Sequence, residues 1–511
     1  KGERTEDTCI TEHSVRQRGH GPWGPQKHEK NDILILLTPR TCDTGRTMFN
    51  PFEALTSLAP ISSPSVAVLG GLICAWIGWR LSCKAPPKPN PKQLDPVGGT
   101  PLKNLLGLGM AKIAQTREQA HASWSLKELE GFHAPDIHPF WNESYYFNGC
   151  DLNTHDRIIT RISHRGINAD KSYVFLLLDL KQYGYLTLEE DDVDWKSEPN
   201  ALDGNPRANG LTYECIDPMQ TWRLTYDGVL TDGHKVPWLK TKNTRTKHVK
   251  LDLTYCNDTP TFWYMRDDAS DTLAKNLSQE AWGLDFIRYC LARSKNHCHI
   301  EAWGSMKGTI AVDHESPVEY NFGTFRDHSW DIRLWAAIDQ LFILLLTFEE
   351  PLIIQGKEYW YLDLTLVHMP NNSGGVQRYT TGWLGTKDAV GGKATGSLTG
   401  NLPVTHATSI LNIGYTEEVG NEKQGIPSRR FPLEESRIAM HVGDAVGGEK
   451  VAEVLVECTG AMRTLQYWPD HARFEVFEIE QQFLVNGVRA YGTRQEGFRL
   501  GAYDPTEGGC G

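Results

Sequence analysis

The 511-residue chain lacks the marks of the common catalytic frameworks. It has no GxGxxG, no GxSxG and no HExxH, which removes the usual signatures of dinucleotide binding, serine hydrolysis and zinc proteolysis. There is no P-loop, because Val390-Gly-Gly-Lys-Ala394 lacks the spacing and the hydroxyl residue after its lysine. The body has no Cys-x-x-Cys. Its cysteines, Cys150, Cys215, Cys256, Cys290, Cys298, Cys458 and Cys510, are odd in number, so no disulfide framework is expected and a reducing compartment suits them. Positive charge is also scarce: 52 Lys+Arg stand against 64 Asp+Glu, a net of −12, which argues against a dedicated nucleic-acid binder. His297-Cys298-His299 has no second ligand cluster nearby in sequence, so neither a metal nor another cofactor is expected.

The charge is unevenly spread. Residues 1–92 carry 12 basic and 8 acidic groups, and the remainder carries 40 and 56. The basic part surrounds the one long apolar stretch, which has no charge from Ala54 to Trp79. Val66, Leu69, Leu72 and Ile73 would lie in a bilayer, with Trp76 and Trp79 near one interface. Arg80, Lys84, Lys88 and Lys92 follow the run, which places the body in the cytosol as a single-pass membrane protein. The expected division is a disordered or non-native leader over 1–60, a transmembrane anchor over 61–83, and a Pro-rich linker with juxtamembrane helices over 84–135. A first β domain over 136–295 and a second over 296–500 follow, with a tail over 501–511. The first methionine is Met48, so residues 1–47 are expected to lie outside the natural frame or to be disordered.

From about residue 140 the chain reads as short strands separated by turn pairs. Asn148-Gly149, Asn209-Gly210, Asp227-Gly228, Asp232-Gly233 and Asn486-Gly487 suit the positive φ of hairpin turns. Between them run β-rich segments such as 157–163, 173–180, 249–255, 298–303, 306–312, 359–367 and 474–485. This spacing predicts a mainly β protein of barrels or sandwiches. A helix is expected over Asp271–Arg293 as the junction of two β domains, and 334–348 fits either a helix or a buried strand. Sequons at Asn142, Asn257, Asn276 and Asn371 are weak evidence for a lumenal body.

Gly323-Thr-Phe-Arg-Asp-His-Ser-Trp-Asp-Ile-Arg-Leu-Trp335 concentrates the chemistry. Asp327 beside His328 is the candidate catalytic pair, able to protonate an alkene or stabilise a cation. Trp330 and Trp335 are candidate walls of an apolar pocket. The competing reading is a buried hydrogen-bond network that closes a barrel corner.

With Glu301 and Met306-Lys-Gly-Thr-Ile-Ala-Val-Asp313, the run Arg326-Asp-His-Ser-Trp330 resembles the tandem lipocalin-like families, among them carotenoid 1,2-hydratase-like and fungal survival-factor proteins. Phe140–Gly149 and Gly210–Gly228 are similar to the leading region of animal phosphoenolpyruvate-synthase-like proteins, and Phe483–Gly492 resembles the closing strands of the same module. The resemblance covers about residues 138–499. It implies two lipocalin-like β-barrel or sandwich domains after the N-terminal transmembrane helix. It carries over Asp327, His328 and Trp330, with Glu301 and Arg326 as further ligand-binding candidates. Asp331 stands where relatives often have Gly, and Tyr491 where they often have Trp.

The expected function is a membrane-anchored protein that binds an apolar small molecule of lipid or isoprenoid type. Two alternatives stay open. One is a non-catalytic module beside a phosphotransferase partner, since the chain has no ATP-grasp or phosphohistidine domain. The other is a hydratase or cyclase that uses Asp327 and His328.

Overall fold

The computed structural model describes residues 101–118, 124–133, 141–165, 171–194, 205–233, 245–278, 297–332, 338–370, 376–387, 401–411, 415–421, 426–443, 450–468 and 474–501. The expected anchor, with Val66, Leu69, Leu72, Ile73, Trp76 and Trp79, lies outside these residues, as do Trp335 and most of the expected helix after residue 278. Among the described residues, no helix is long and apolar enough to cross a membrane.

Two sheets carry the structure. The first uses β1 (Trp141–Asp151), β2 (Arg157–Arg165), β3 (Lys171–Leu180), β4 (Gly184–Asp194), β5 (Arg207–Ala208), β6 (Leu211–Asp217), β7 (Thr221–Asp232), β8 (Thr246–Asn257), β9 (Phe262–Trp263), β10 (Cys298–Val312) and β11 (Val318–Ile332). Its order is β4-β3-β2-β1-β11-β10-β8-β7-β6-β5, with β9 on β10, and it curls until β4 meets β7. The second uses β12 (Gln340–Ile354), β13 (Lys357–Pro370), β14 (Val376–Gly385) and β15 (Leu402–Leu411). After the small hairpin β16 (Tyr415–Glu418) and β17 (Arg429–Pro432) it continues through β18 (Ser436–Gly443), β19 (Lys450–Tyr467), β20 (Phe474–Val485) and β21 (Val488–Arg499). Here β21 returns to β12 and closes the ring. The mainly β expectation holds. The change from one sheet to the next falls between Ile332 and Gln340, later than the 295/296 boundary expected from the sequence, because β10 and β11 pair with β8 and β1.

Each sheet encloses its own apolar core. Phe147, Tyr213, Trp222 and Tyr255 fill the first, and Leu344, Leu364, Met440 and Phe483 fill the second. A third cluster, including Tyr146, Phe175, Trp303, Phe325, Tyr361, Trp383 and Tyr467, lies in the seam between the sheets. This seam explains why every residue of β1 is buried: one face looks into the first core and the other into the seam. A strand of that kind reads as continuous rather than alternating.

Among the described residues, three helices flank the sheets: α1 (Pro101–Glu118), α2 (Leu126–Glu130) and α3 (Ser270–Ser278). In α2, Ser125 and Glu128 form a capping box, which fixes the helix end that carries Glu130. α1 packs on α3, and its Gln115 donates to the carbonyl of Asp268 at 2.9 Å.

Asn209-Gly210 and Asn486-Gly487 adopt positive φ and turn hairpins as expected. Asn148-Gly149 and Asp227-Gly228 instead lie inside β1 and β7. Gly149 is there for space: a Cβ would sit 2.9 Å from that of Phe322 on the neighbouring strand. The sequons at Asn142, Asn257 and Asn276 fall on buried residues, which disfavours glycosylation there.

Candidate active site in the seam between the sheets

Strand alternation separates the sequence-predicted pair. Side chains of consecutive strand residues point to opposite faces. On β11, Arg326, His328 and Trp330 therefore enter the first core, while Phe325 and Asp327 face the seam. Asp327 does not orient His328, and the two do not share a pocket.

On the core side, Arg326 pairs with Glu130, and His328 donates from Nε2 to Glu143 at 3.1 Å. Glu143 also accepts from His133, at 3.0 Å from the backbone nitrogen and 2.7 Å from Nδ1. His133 stacks on Trp330 with centroids 3.5 Å apart, and Tyr145 stacks on His328 at 3.9 Å. Burial penalises the charge on Glu130 and Glu143, but their cationic partners outweigh it and hold both carboxyls below the usual range. His328, also opposed by burial, is raised by the same two carboxylates. This is the buried network that the sequence allowed as the competing reading. The donor atoms of His133, Glu143 and His328 lie within 4.8 Å of one another, so these three residues can also hold a metal ion.

On the seam side the chemistry differs. Glu301 on β10 lies opposite Asp327 on β11. His299 bridges them, 3.2 Å from Glu301 and 3.3 Å from Asp327, and Tyr264 stacks on its ring at 4.0 Å. Burial lowers the His299 pKa, but Asp327 and Glu301 outweigh it and raise it to about 9. The indole Nε1 of Trp383 donates to Glu301 at 3.0 Å. Facing this group from β13 is Asp363, fully buried, with no donor group on either carboxyl oxygen and the Glu301 carboxyl beside it. Burial first, then the nearby Glu301 carboxylate through its charge and a hydrogen bond, then Asp268 and Asp327, push the Asp363 carboxyl well above its ordinary value. Asp268, held by Thr381 and the Met265 backbone, is raised by burial to about 6. The side chains of His299 and Asp327 are 22% and 16% exposed, which gives the cluster its contact with solvent.

Asp363 escaped the sequence reading, although a lone carboxylate in Trp360-Tyr-Leu-Asp-Leu-Thr-Leu366 was a visible signal. Its position depends on Gly382 on β14, which has φ 148° and whose Cβ would lie 2.3 Å from the Asp363 carbonyl oxygen. Gly382→Ala is expected to cost about 1–3 kcal/mol in a urea titration; an unchanged midpoint would contradict this packing.

A second buried carboxyl lies further along the seam. Glu478 receives Tyr146, Tyr467 and Gln495 on one oxygen, while its other oxygen has no partner. Burial raises Glu478 and Glu496 to about 7. Asp268, Glu478, Glu496 and His299 all hold protons more tightly when folded than in an unfolded chain. Their stabilisation is full below the unfolded values and is lost as pH rises through about 6, 7 and 9. Glu130 and Glu143 act oppositely and lose their contribution in acid. The melting temperature is therefore expected to peak near pH 5 and fall towards pH 9; a rise over that interval would refute the assignment.

Residues 127–383, which run from α2 through the seam strands to Trp383, match the family model described as a domain of unknown function, DUF7064. The chain belongs to the DUF7064 family. The match takes in Glu130, Glu301, the Arg326–Trp330 run and Asp363 of this DUF7064 chain. No curated protein matches it. Among solved structures, it is similar to an AttH protein of Nitrosomonas europaea, at 8% identity and TM-score 0.41, over 73% of this chain and 94% of that one. It is also similar to kievitone hydratase of Nectria haematococca, at 12% identity and TM-score 0.36, over 70% and 88%. CghA gives 9% identity and TM-score 0.36, over 72% and 90%.

Proposed function

We propose that this DUF7064 chain is an acid–base catalyst that works in the seam between its two sheets on an apolar, unsaturated small molecule. The observation that carries the reading is Asp363, a fully buried carboxyl that no donor group reaches and whose nearest polar partner is another carboxyl, that of Glu301. Leaving such a group unsatisfied is costly and calls for a functional reason. Perturbed carboxyls of this kind cluster at sites of proton transfer.

In the hydration form of the reaction, protonated Asp363 gives its proton to an alkene carbon. The faces of Phe262 and Trp383, stacked 5.5 Å apart, offer negative potential to the carbocation that forms. Water attacks the cation, and the proton it releases returns to the Asp363–Glu301 pair. Isomerisation follows the same first step and ends with loss of a neighbouring proton. The resemblance to hydratase-like families agrees with this chemistry but moves the acid from Asp327 and His328 to Asp363.

Binding without chemistry is the second reading, and the second sheet closing into a ring favours it. Its weakness is that both interiors are filled by their own side chains. Membrane attachment through 61–83 and a phosphotransferase partner rest on the sequence alone.

The test is incubation of the protein with a small-molecule extract in heavy water, followed by mass spectrometry. The reading expects one component to gain deuterium or water with the wild type and not with Asp363→Asn. Equal labelling by both proteins would overturn it.

A further inference from the structure

The seam face of the first sheet carries an ordered series of side chains. Along β10, Glu301, Trp303, Ser305 and Lys307 succeed one another on one face at two-residue steps. Along β11, Asp327, Phe325 and Gly323 follow beside them. From the second sheet, Asp363 faces the first step, and Tyr361 stacks on Trp303 at 5.2 Å. At about 3.3 Å per residue, Glu301 and Lys307 lie roughly 20 Å apart.

Beyond the Trp303–Tyr361 stack the seam opens into a cleft of about 470 Å³. Its lining includes Ser305, Lys307, Gly323, Asp258 and Lys387. Lys387 lies over the Trp360 ring at 3.8 Å, and the Tyr361 hydroxyl donates to Asp258 at 3.1 Å. Among the described residues, neither lysine forms an ion pair. Two ammonium groups thus face one carboxyl at the mouth of the cleft, in a chain of net charge −12. A local reversal of sign in a concave site favours an anion.

Resting on the seam reading above, we infer that the substrate is an apolar chain with an anionic head, a carboxylate or a phosphate. The head is bound by Lys307 and Lys387 in the cleft, and the chain points toward Asp363, the buried Trp303–Tyr361 stack parting to admit it. The aromatic stack shields the apolar part, and the lysines fix its register, so that a bond far from the head reaches the acid. Binding energy at a remote head group then serves to position the reacting carbon.

The test is a fluorescence titration of the full chain with cis-parinaric acid and with its methyl ester. The acid is expected to bind at least tenfold more tightly than the ester. The double substitution Lys307→Met and Lys387→Met should remove that preference by weakening the acid at least tenfold, with the ester unchanged. Circular dichroism of the variant verifies its fold. Competition with dodecyl phosphate separates the two head groups: displacement extends the site to phosphates, and failure to displace restricts it to carboxylates. Equal affinity of acid and ester, acid binding that survives the double substitution, or no binding of the acid would each overturn the inference. If the charge preference fails while Asp363→Asn still abolishes labelling in heavy water, the head-group assignment falls and the catalytic reading stands.

Discussion

Glu143→Gln is expected to lower the unfolding free energy by about 3–5 kcal/mol. Glu143 is 1% exposed and is the shared acceptor for His133 and His328. Glutamine keeps the shape but removes the charge, so the imidazolium of His328 loses a counter-ion in a site where both side chains are fully buried. Breaking one side of a buried charged network costs more than the network contributes as a whole, because the remaining partner stays desolvated. A urea titration at neutral pH reads the change as a lower midpoint with an unchanged slope. His133→Ala should cost less, since its side chain is 11% exposed and can exchange its partner for water. A loss below about 1 kcal/mol for Glu143→Gln would sink the claim that this network holds the first core together.

Asp363→Asn has the opposite signature. The reading expects the labelling rate in heavy water to fall about 10²–10⁴-fold, the usual range for loss of a positioned general acid. Stability should change by less than about 1 kcal/mol, because the amide replaces a neutral acid of the same shape and can still donate to Glu301. An amide cannot give up a proton at neutral pH, so the two substitutions divide the charged groups on β1, β11 and β13 into those that hold the fold and those that act. Should Asp363→Asn destabilise the protein as Glu143→Gln does, the seam carboxyl would be structural.

The β character was legible because strands such as Tyr173–Leu180 and Val249–Tyr255 carry β-rich runs between turn residues. The face on which each residue of Arg326-Asp-His-Ser-Trp330 lies was not legible from their adjacency. Period-two alternation sends Arg326 to Glu130 and His328 to Glu143, which are 196 and 185 residues away. Glu143 is brought there by the pairing of β1 with β11 and Glu130 by the position of α2, neither of which a single sequence encodes locally. Glu301 is singled out by the sequence, and the structure places it in the seam. Asp363 is not singled out, because its significance comes from facing β10 across the seam from another sheet. Turn pairs misled at Asn148-Gly149 for a related reason: the glycine answers to Phe322 on a neighbouring strand and not to its own backbone.

The most direct test is the infrared difference spectrum, wild type minus Asp363→Asn, in the region of the protonated carboxyl stretch at pH 7. Other buried acids, such as Glu478, cancel in the difference. A carboxylic-acid band present in the wild type and lost in the variant is the result expected for a proton held on Asp363 in the seam. Spectra that coincide there, with the variant losing only carboxylate intensity, would mean that Asp363 is ionised and would contradict the account.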